Sequence, residues 1–170
     1  MGKKGEYRMQ TYPPDYIELK IPAKTDYLGM IRLTVSGIAN RMQFSYDEIE
    51  DIKMAVSEAC TNVVQHAYLD KETGDITIGF GLFSDRLEIM IDDHGERFNF
   101  RERKQGMAPY NPSHPIDALP ESGLGIYVMH SVMDAVEISY NHGMTVLLTK
   151  HLQREWGEKD ERTHSIYPEN

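Results

Sequence analysis

The chain has 170 residues, 40% of them hydrophobic, which is enough to bury one core and too few for two ordinary domains. A formal charge of −9 excludes unaided binding to a polyanionic backbone, so no direct nucleic-acid contact is expected; protein partners, or a small anion held by backbone amides, stay open. One cysteine, Cys60, leaves no internal disulfide or cysteine zinc cluster, and no apolar run approaches the ~20 residues of a membrane helix, so the expectation is a soluble cytoplasmic protein without a membrane partner.

Residues 1–14 carry no apolar period and close on Pro13-Pro14, the pattern of a loose extension. Ile17, Leu19 and Ile21 then alternate with polar residues up to Pro22, which predicts a half-buried strand. From Thr25 to about Met42 the period turns helical, with Leu28, Ile31, Val35, Ile38 and Met42 on one stripe and Arg32 outside it. Ser45 and Glu48 have capping-box spacing and announce a second helix, whose core stripe is Ile49, Ile52, Val56, Ala59, Val63 and Ala67. Two alternating runs, Ile76 to Leu82 and Leu87 to Ile91, flank Ser84-Asp85 as a β-hairpin. The apolar period is lost from about Gly95 to Glu121, where Pro109, Pro112, Pro115 and Pro120 interrupt regular structure; a loop of that length inside one domain is functional or disordered. Gly123-Leu124-Gly125 opens a short helix, and Val136 to Leu148 reads as a closing hairpin around Asn141-His142-Gly143. Strand, two helices, hairpin, loop, helix and hairpin make an α+β chain: a two-layer sandwich of a mixed, mainly antiparallel sheet with helices on one face.

Four clusters bear chemistry. Glu58, Asn62 and His66 are spaced by four and line one side of the second helix, next to its core stripe. A carboxylate there can take a proton or orient a nucleophile, and an amide oxygen suits Mg²⁺; the alternative is a polar margin of a core face. Asp93-His94-Gly95 ends a strand, where an aspartate can accept from an exocyclic amine such as that of adenine and a glycine lets the backbone approach a ring; the alternative is a simple Asx turn. Ser122-Gly123-Leu124-Gly125 precedes a helix, so its amides face outward at the positive end of the helix dipole, as a phosphate cradle or as a hinge. Gly143 and Thr145, at the last hairpin, put a hydroxyl where it could lie near a ring or serve only as a strand residue.

The order Glu58…Asn62…His66, Asp93-His94-Gly95, Gly123-Leu124-Gly125, Gly143 and Thr145 resembles the boxes of the GHKL ATPase/kinase superfamily. Within it, VSEACTNVVQHAY, RLEIMIDDHGERF and SGLGIYVMHSVMDAVEI resemble the bacterial anti-sigma-factor serine kinases, the anti-sigma-B type above the sporulation type. The resemblance covers roughly Tyr16 to Leu152. It implies a Bergerat ATP-binding fold over residues 15–152, a lid at about 95–121 and a polar tail over 153–170. ATP and Mg²⁺ are the implied cofactors. Glu58 would be the base or orienting group for the acceptor hydroxyl, Asn62 would hold Mg²⁺, and Asp93 and Gly95 would receive adenine. Ser122, Gly123, Leu124 and Gly125 would hold phosphates, Thr145 would support adenine through water, and His66 would make a supporting contact.

The implied partners are a sigma factor, sigma-B by this resemblance, which the protein sequesters, and an RsbV-like anti-anti-sigma factor, which it phosphorylates. Arg32 on the first helix is the residue assigned to a charged partner contact, and a homodimer is implied. Two positions depart from the superfamily pattern: Arg97 stands where many members have a second glycine, and Glu121 where the sporulation relative has an arginine. Cationic help for phosphate would then come from Arg97, Arg101, Arg103 or Lys104. The rival reading is a nucleotide-dependent module that sequesters a partner without phosphotransfer. Sensor histidine kinases and gyrase-like or Hsp90-like ATPases require helical or further domains that this length does not accommodate.

Overall fold

In the computed structural model, residue 13 and residues 15–69, 74–93, 100–105, 107, 123–140 and 143–153 are described. Strand β1 (Asp15–Pro22) leads through a 3-10 turn (Thr25–Tyr27) into helices α1 (Leu28–Arg41) and α2 (Tyr46–Leu69). Strands β2 (Asp75–Leu82) and β3 (Arg86–Asp92) follow, then α3 (Phe100–Gln105), α4 (Gly123–Val132), β4 (Ala135–Ser139) and β5 (Thr145–His151). The strands form one sheet in the order β1-β2-β3-β5-β4, and every pairing among them is antiparallel.

Local chemistry explains the element ends. The Ser45 amide donates to Glu48 Oε2 at 2.8 Å and the Glu48 amide to Ser45 Oγ at 3.3 Å, so the capping box is made in both directions and starts α2. Helix α1 stops in a Schellman arrangement, in which the amide of Gln43 reaches the carbonyl of Asn40 at 3.0 Å and that of Phe44 reaches Ala39 at 3.1 Å. That geometry needs a left-handed residue, and Gln43 supplies it with φ of 67°. The β2–β3 turn closes through the Phe83 amide on the Arg86 carbonyl at 2.9 Å.

Alternation sorts the sheet's two faces. Ile76, Ile78 and Phe80 of β2, Leu87, Ile89 and Ile91 of β3, and Val146 and Leu148 of β5 share one core with Val35, Ile52, Val56, Val63 and Met129 of the three long helices. Cys60 is buried in that core, where desolvation pushes its thiol up to about 12 and leaves it protonated. The reverse face is where the structure adds to expectation: six residues within the apolar-period-free stretch form α3, whose Phe100 packs with Met90 and Leu147 of the sheet. Lys104 of α3 donates to both oxygens of buried Glu88 at 2.7 Å, and Arg86 Nε donates to Oε1 of the same carboxylate at 2.7 Å. Arg86 also lies over the Phe83 ring, 3.7 Å from its centroid. Among the described residues no helix is long and apolar enough to cross a membrane.

Candidate nucleotide and phosphotransfer site

Helix α2 acts as a rail along one edge of the site. Eight residues separate Glu58 from His66, about 12 Å at the rise of an α-helix, with Asn62 midway. Neighbouring hydroxyls fold back onto the helix itself, Ser57 Oγ to the Lys53 carbonyl at 2.7 Å and Thr61 Oγ1 to the Ser57 carbonyl at 2.8 Å. That leaves the Glu58, Asn62 and His66 side chains to face other elements.

At one end of the rail stands α4. A Cβ built on Gly125 would lie 2.7 Å from Glu58 Oε2 and 3.7 Å from Asn62 Nδ2, so this position is glycine because the carboxylate of α2 fills the space a side chain would take. The first turn of α4, beginning at Gly123, therefore meets a carboxylate and a carboxamide. Leu124 points away and is exposed. Asn62 is 7% exposed, and its Nδ2 has no hydrogen-bond partner among the described residues. A buried amide group left without a partner costs on the order of 1–3 kcal/mol, which a ligand oxygen or a metal-bound phosphate would relieve. Amide ends are assigned from their partners, so the unpartnered end can equally present its oxygen.

At the other end of the rail His66 Nδ1 lies 3.2 Å from Asp93 Oδ2, a pair 27 residues apart in the chain. Asp93 Oδ1 accepts the Met144 amide at 3.0 Å. Asp93 leaves the end of β3 and Met144 leads into β5, and β3 pairs with β5 from Asp92–Thr145 onward. The Tyr140 ring lies 6.3 Å from that of His66, tilted at 50°. Met144 was invisible as a site residue because it acts through its backbone, and Tyr140 because a strand-end tyrosine has no distinguishing spacing.

Thr145 is buried, pairs in register with Asp92 and Ser139, and by alternation shares the reverse face with Leu147, while Met144 lies in the helix-side core. Lys104, one of four cations considered for phosphate, is committed to Glu88 on that reverse face. Arg32 is exposed on α1 beside Leu33, which is 75% exposed. Gly95, Ser122, Arg97 and Glu121 lie outside the described residues, as does most of the stretch 95–121.

Residues 21–150, which contain every described part of this site, match the histidine kinase-like ATPase domain family. The chain is also 54% identical to the serine-protein kinase RsbW of Bacillus cereus strain ATCC 10987, over 89% of this chain and 94% of that one. It is 53% identical to RsbW of Bacillus velezensis FZB42, over 83% and 88% of the two chains, and 52% identical to RsbW of Bacillus subtilis strain 168, over 86% and 91%. The chain belongs to the histidine kinase-like ATPase family, among the RsbW serine-protein kinases. The antiparallel sheet backed by α1, α2 and α4 is the α+β architecture expected of that family. ATP use is what that family implies.

Proposed function

We propose that this chain is an ATP-dependent serine-protein kinase that doubles as an anti-sigma factor, sequestering a sigma factor and phosphorylating the anti-anti-sigma protein that opposes it. The observation that carries the reading is Glu58 Oε2 at the position a Gly125 side chain would occupy, which sets a carboxylate against a helix start suited to phosphate. In this reading Glu58 receives the proton of the partner's serine hydroxyl as that oxygen meets the terminal phosphoryl group of ATP, and ADP leaves. The Asn62 amide, presenting its oxygen, would hold Mg²⁺ beside the phosphates. Mg²⁺ fits this donor set, since it takes one or two protein oxygens and fills its shell with phosphate and water; when bound it neutralises phosphate charge. The amides of Gly123, Leu124 and Gly125, with Ser122 before them, hold phosphate oxygens, and Asp93, with Gly95 giving the ring room, receives adenine.

The finer assignments are sigma-B as the sequestered factor, an RsbV-like protein as the substrate, a homodimeric state, a cytoplasmic location, a lid over 95–121 and a water-mediated role for Thr145. They rest on the resemblance of the motifs. Arg32 and Leu33, adjacent and exposed on α1, support a partner surface there. Arginine is among the residues enriched at protein interfaces.

The test is incubation with labelled ATP and Mg²⁺ beside a candidate anti-anti-sigma protein. Transfer to a serine is expected from the wild type, with a loss of roughly 100-fold or more in Glu58→Gln and near-normal nucleotide affinity, since a positioned base contributes about that much. Absence of transfer by the wild type would favour the purely sequestering module, and undiminished transfer by Glu58→Gln would remove Glu58 as the base.

A further inference from the structure

We infer that His66 is a positioning residue for nucleobase selection: by holding Asp93 Oδ2 it fixes the plane of that carboxylate and sets the preference for a base bearing an exocyclic amine. The inference rests on the reading that Asp93 receives the nucleobase.

The geometry supplies the argument. Asp93 lies just beyond β3. Its two carboxylate oxygens meet donors from separate elements, Oδ1 the Met144 amide at 3.0 Å and Oδ2 His66 Nδ1 at 3.2 Å. The last torsion of an aspartate is broad, and each donor on its carboxylate narrows it. His66 supplies such a donor on Oδ2, from another direction than the Met144 amide on Oδ1. The Asp93 side chain is only 6% exposed, so water competes weakly for both bonds. A carboxylate accepts, so in this contact His66 donates through a proton on Nδ1.

Selection follows from directionality. A base with an exocyclic N–H₂ gains only if a carboxylate lone pair points at it, and His66 contributes to that aim by holding Oδ2. A base with a carbonyl at the same place has no proton to offer and gains nothing from the aim. His66 therefore affects one class of purine nucleotide and spares the other. Because His66 and Glu58 share α2, the helix that carries the base for phosphotransfer also sets the register of the nucleobase.

The experiment has three arms on the full chain. In the nucleotide-free wild type, ¹⁵N shifts of the His66 ring should report the Nδ1–H tautomer; the Nε2–H tautomer would overturn the inference even if every variant failed to fold. In calorimetric titrations, His66→Ala should weaken ATP binding roughly tenfold, about the worth of one hydrogen bond to a charged group, and change inosine triphosphate binding by less than about twofold. His66→Asn, whose amide N–H can stand in for Nδ1–H, should recover most of the lost affinity. Equal losses for both nucleotides, or no rescue by asparagine, would mean that His66 merely supports the fold. Asp93→Asn separates the two levels. If it leaves ATP affinity unchanged, the reading of Asp93 falls and the inference with it; if it weakens ATP while His66→Ala does not, the inference alone falls.

Discussion

A methyl group on Gly125 would stand 2.7 Å from Glu58 Oε2, a distance that atoms do not tolerate, so one of them has to move. Glu58 is partly exposed and its side chain is flexible, which makes it the one to yield. Gly125→Ala should therefore leave stability within about 1 kcal/mol of wild type, since alanine is the better helix residue. Phosphotransfer should fall by roughly 10- to 100-fold, because a base displaced by an ångström loses its alignment with the acceptor. Thermal melts and transfer rates measured on the same preparation would check both halves, and normal transfer would show that the position of Glu58 is not critical. The spacing of Glu58, Asn62 and His66 along one helix is legible in the sequence, because a period of four on a helix is local geometry. Their partners are not, since Gly125 and Asp93 come to them from elements 67 and 27 residues further along the chain.

At the scale of elements, α1 ends on a compromise. Gln43 takes a φ of 67° to let its own amide and that of Phe44 cap α1, yet it carries a side chain that disfavours that conformation by roughly 1 kcal/mol. Gln43→Gly should raise the unfolding free energy by about 0.5 kcal/mol, less than the full strain because glycine also loses more entropy on folding; urea melts would measure it, and a decrease would mean that Gln43 gains more from its surroundings than it loses in strain. The cap of α2 was readable beforehand because Ser45 and Glu48 are three residues apart and act on each other's amides. Helix α3 was not. Its six residues bury one aromatic, Phe100, against Met90 and Leu147, and depend on Lys104 reaching Glu88. No apolar period can emerge from so short a segment.

For the molecule as a whole, the reverse face of the sheet carries charge in an unusual place. Glu88 is 3% exposed yet held by Lys104 and Arg86, and Glu137 stands near enough to feel both Lys104 and Glu88. Desolvation, the larger effect, and the Glu88 charge push the Glu137 carboxyl above its ordinary value, and Lys104 opposes them. A carboxyl whose folded value is raised binds its proton more tightly in the native state. Its contribution to stability is complete below the unfolded value, about pH 4.3, and is lost as pH rises through the folded value. Glu137→Gln, which cannot ionise, should match the wild type near the acid end and become the more stable protein toward neutrality. Urea midpoints at several pH values would check it, and a difference independent of pH would assign the effect to packing.

The sequence by itself determined the order and type of the main elements, the caps of α2, the line of Glu58, Asn62 and His66, and the family, because each is written in spacings of a few residues or in short motifs. Only the tertiary structure decided the strand order β1-β2-β3-β5-β4, the seating of α3 on the reverse face, the fit of Glu58 against Gly125 and the pairing of His66 with Asp93. Those depend on which faces of distant segments meet, and a hydrophobic period says that a face is buried without saying what buries it.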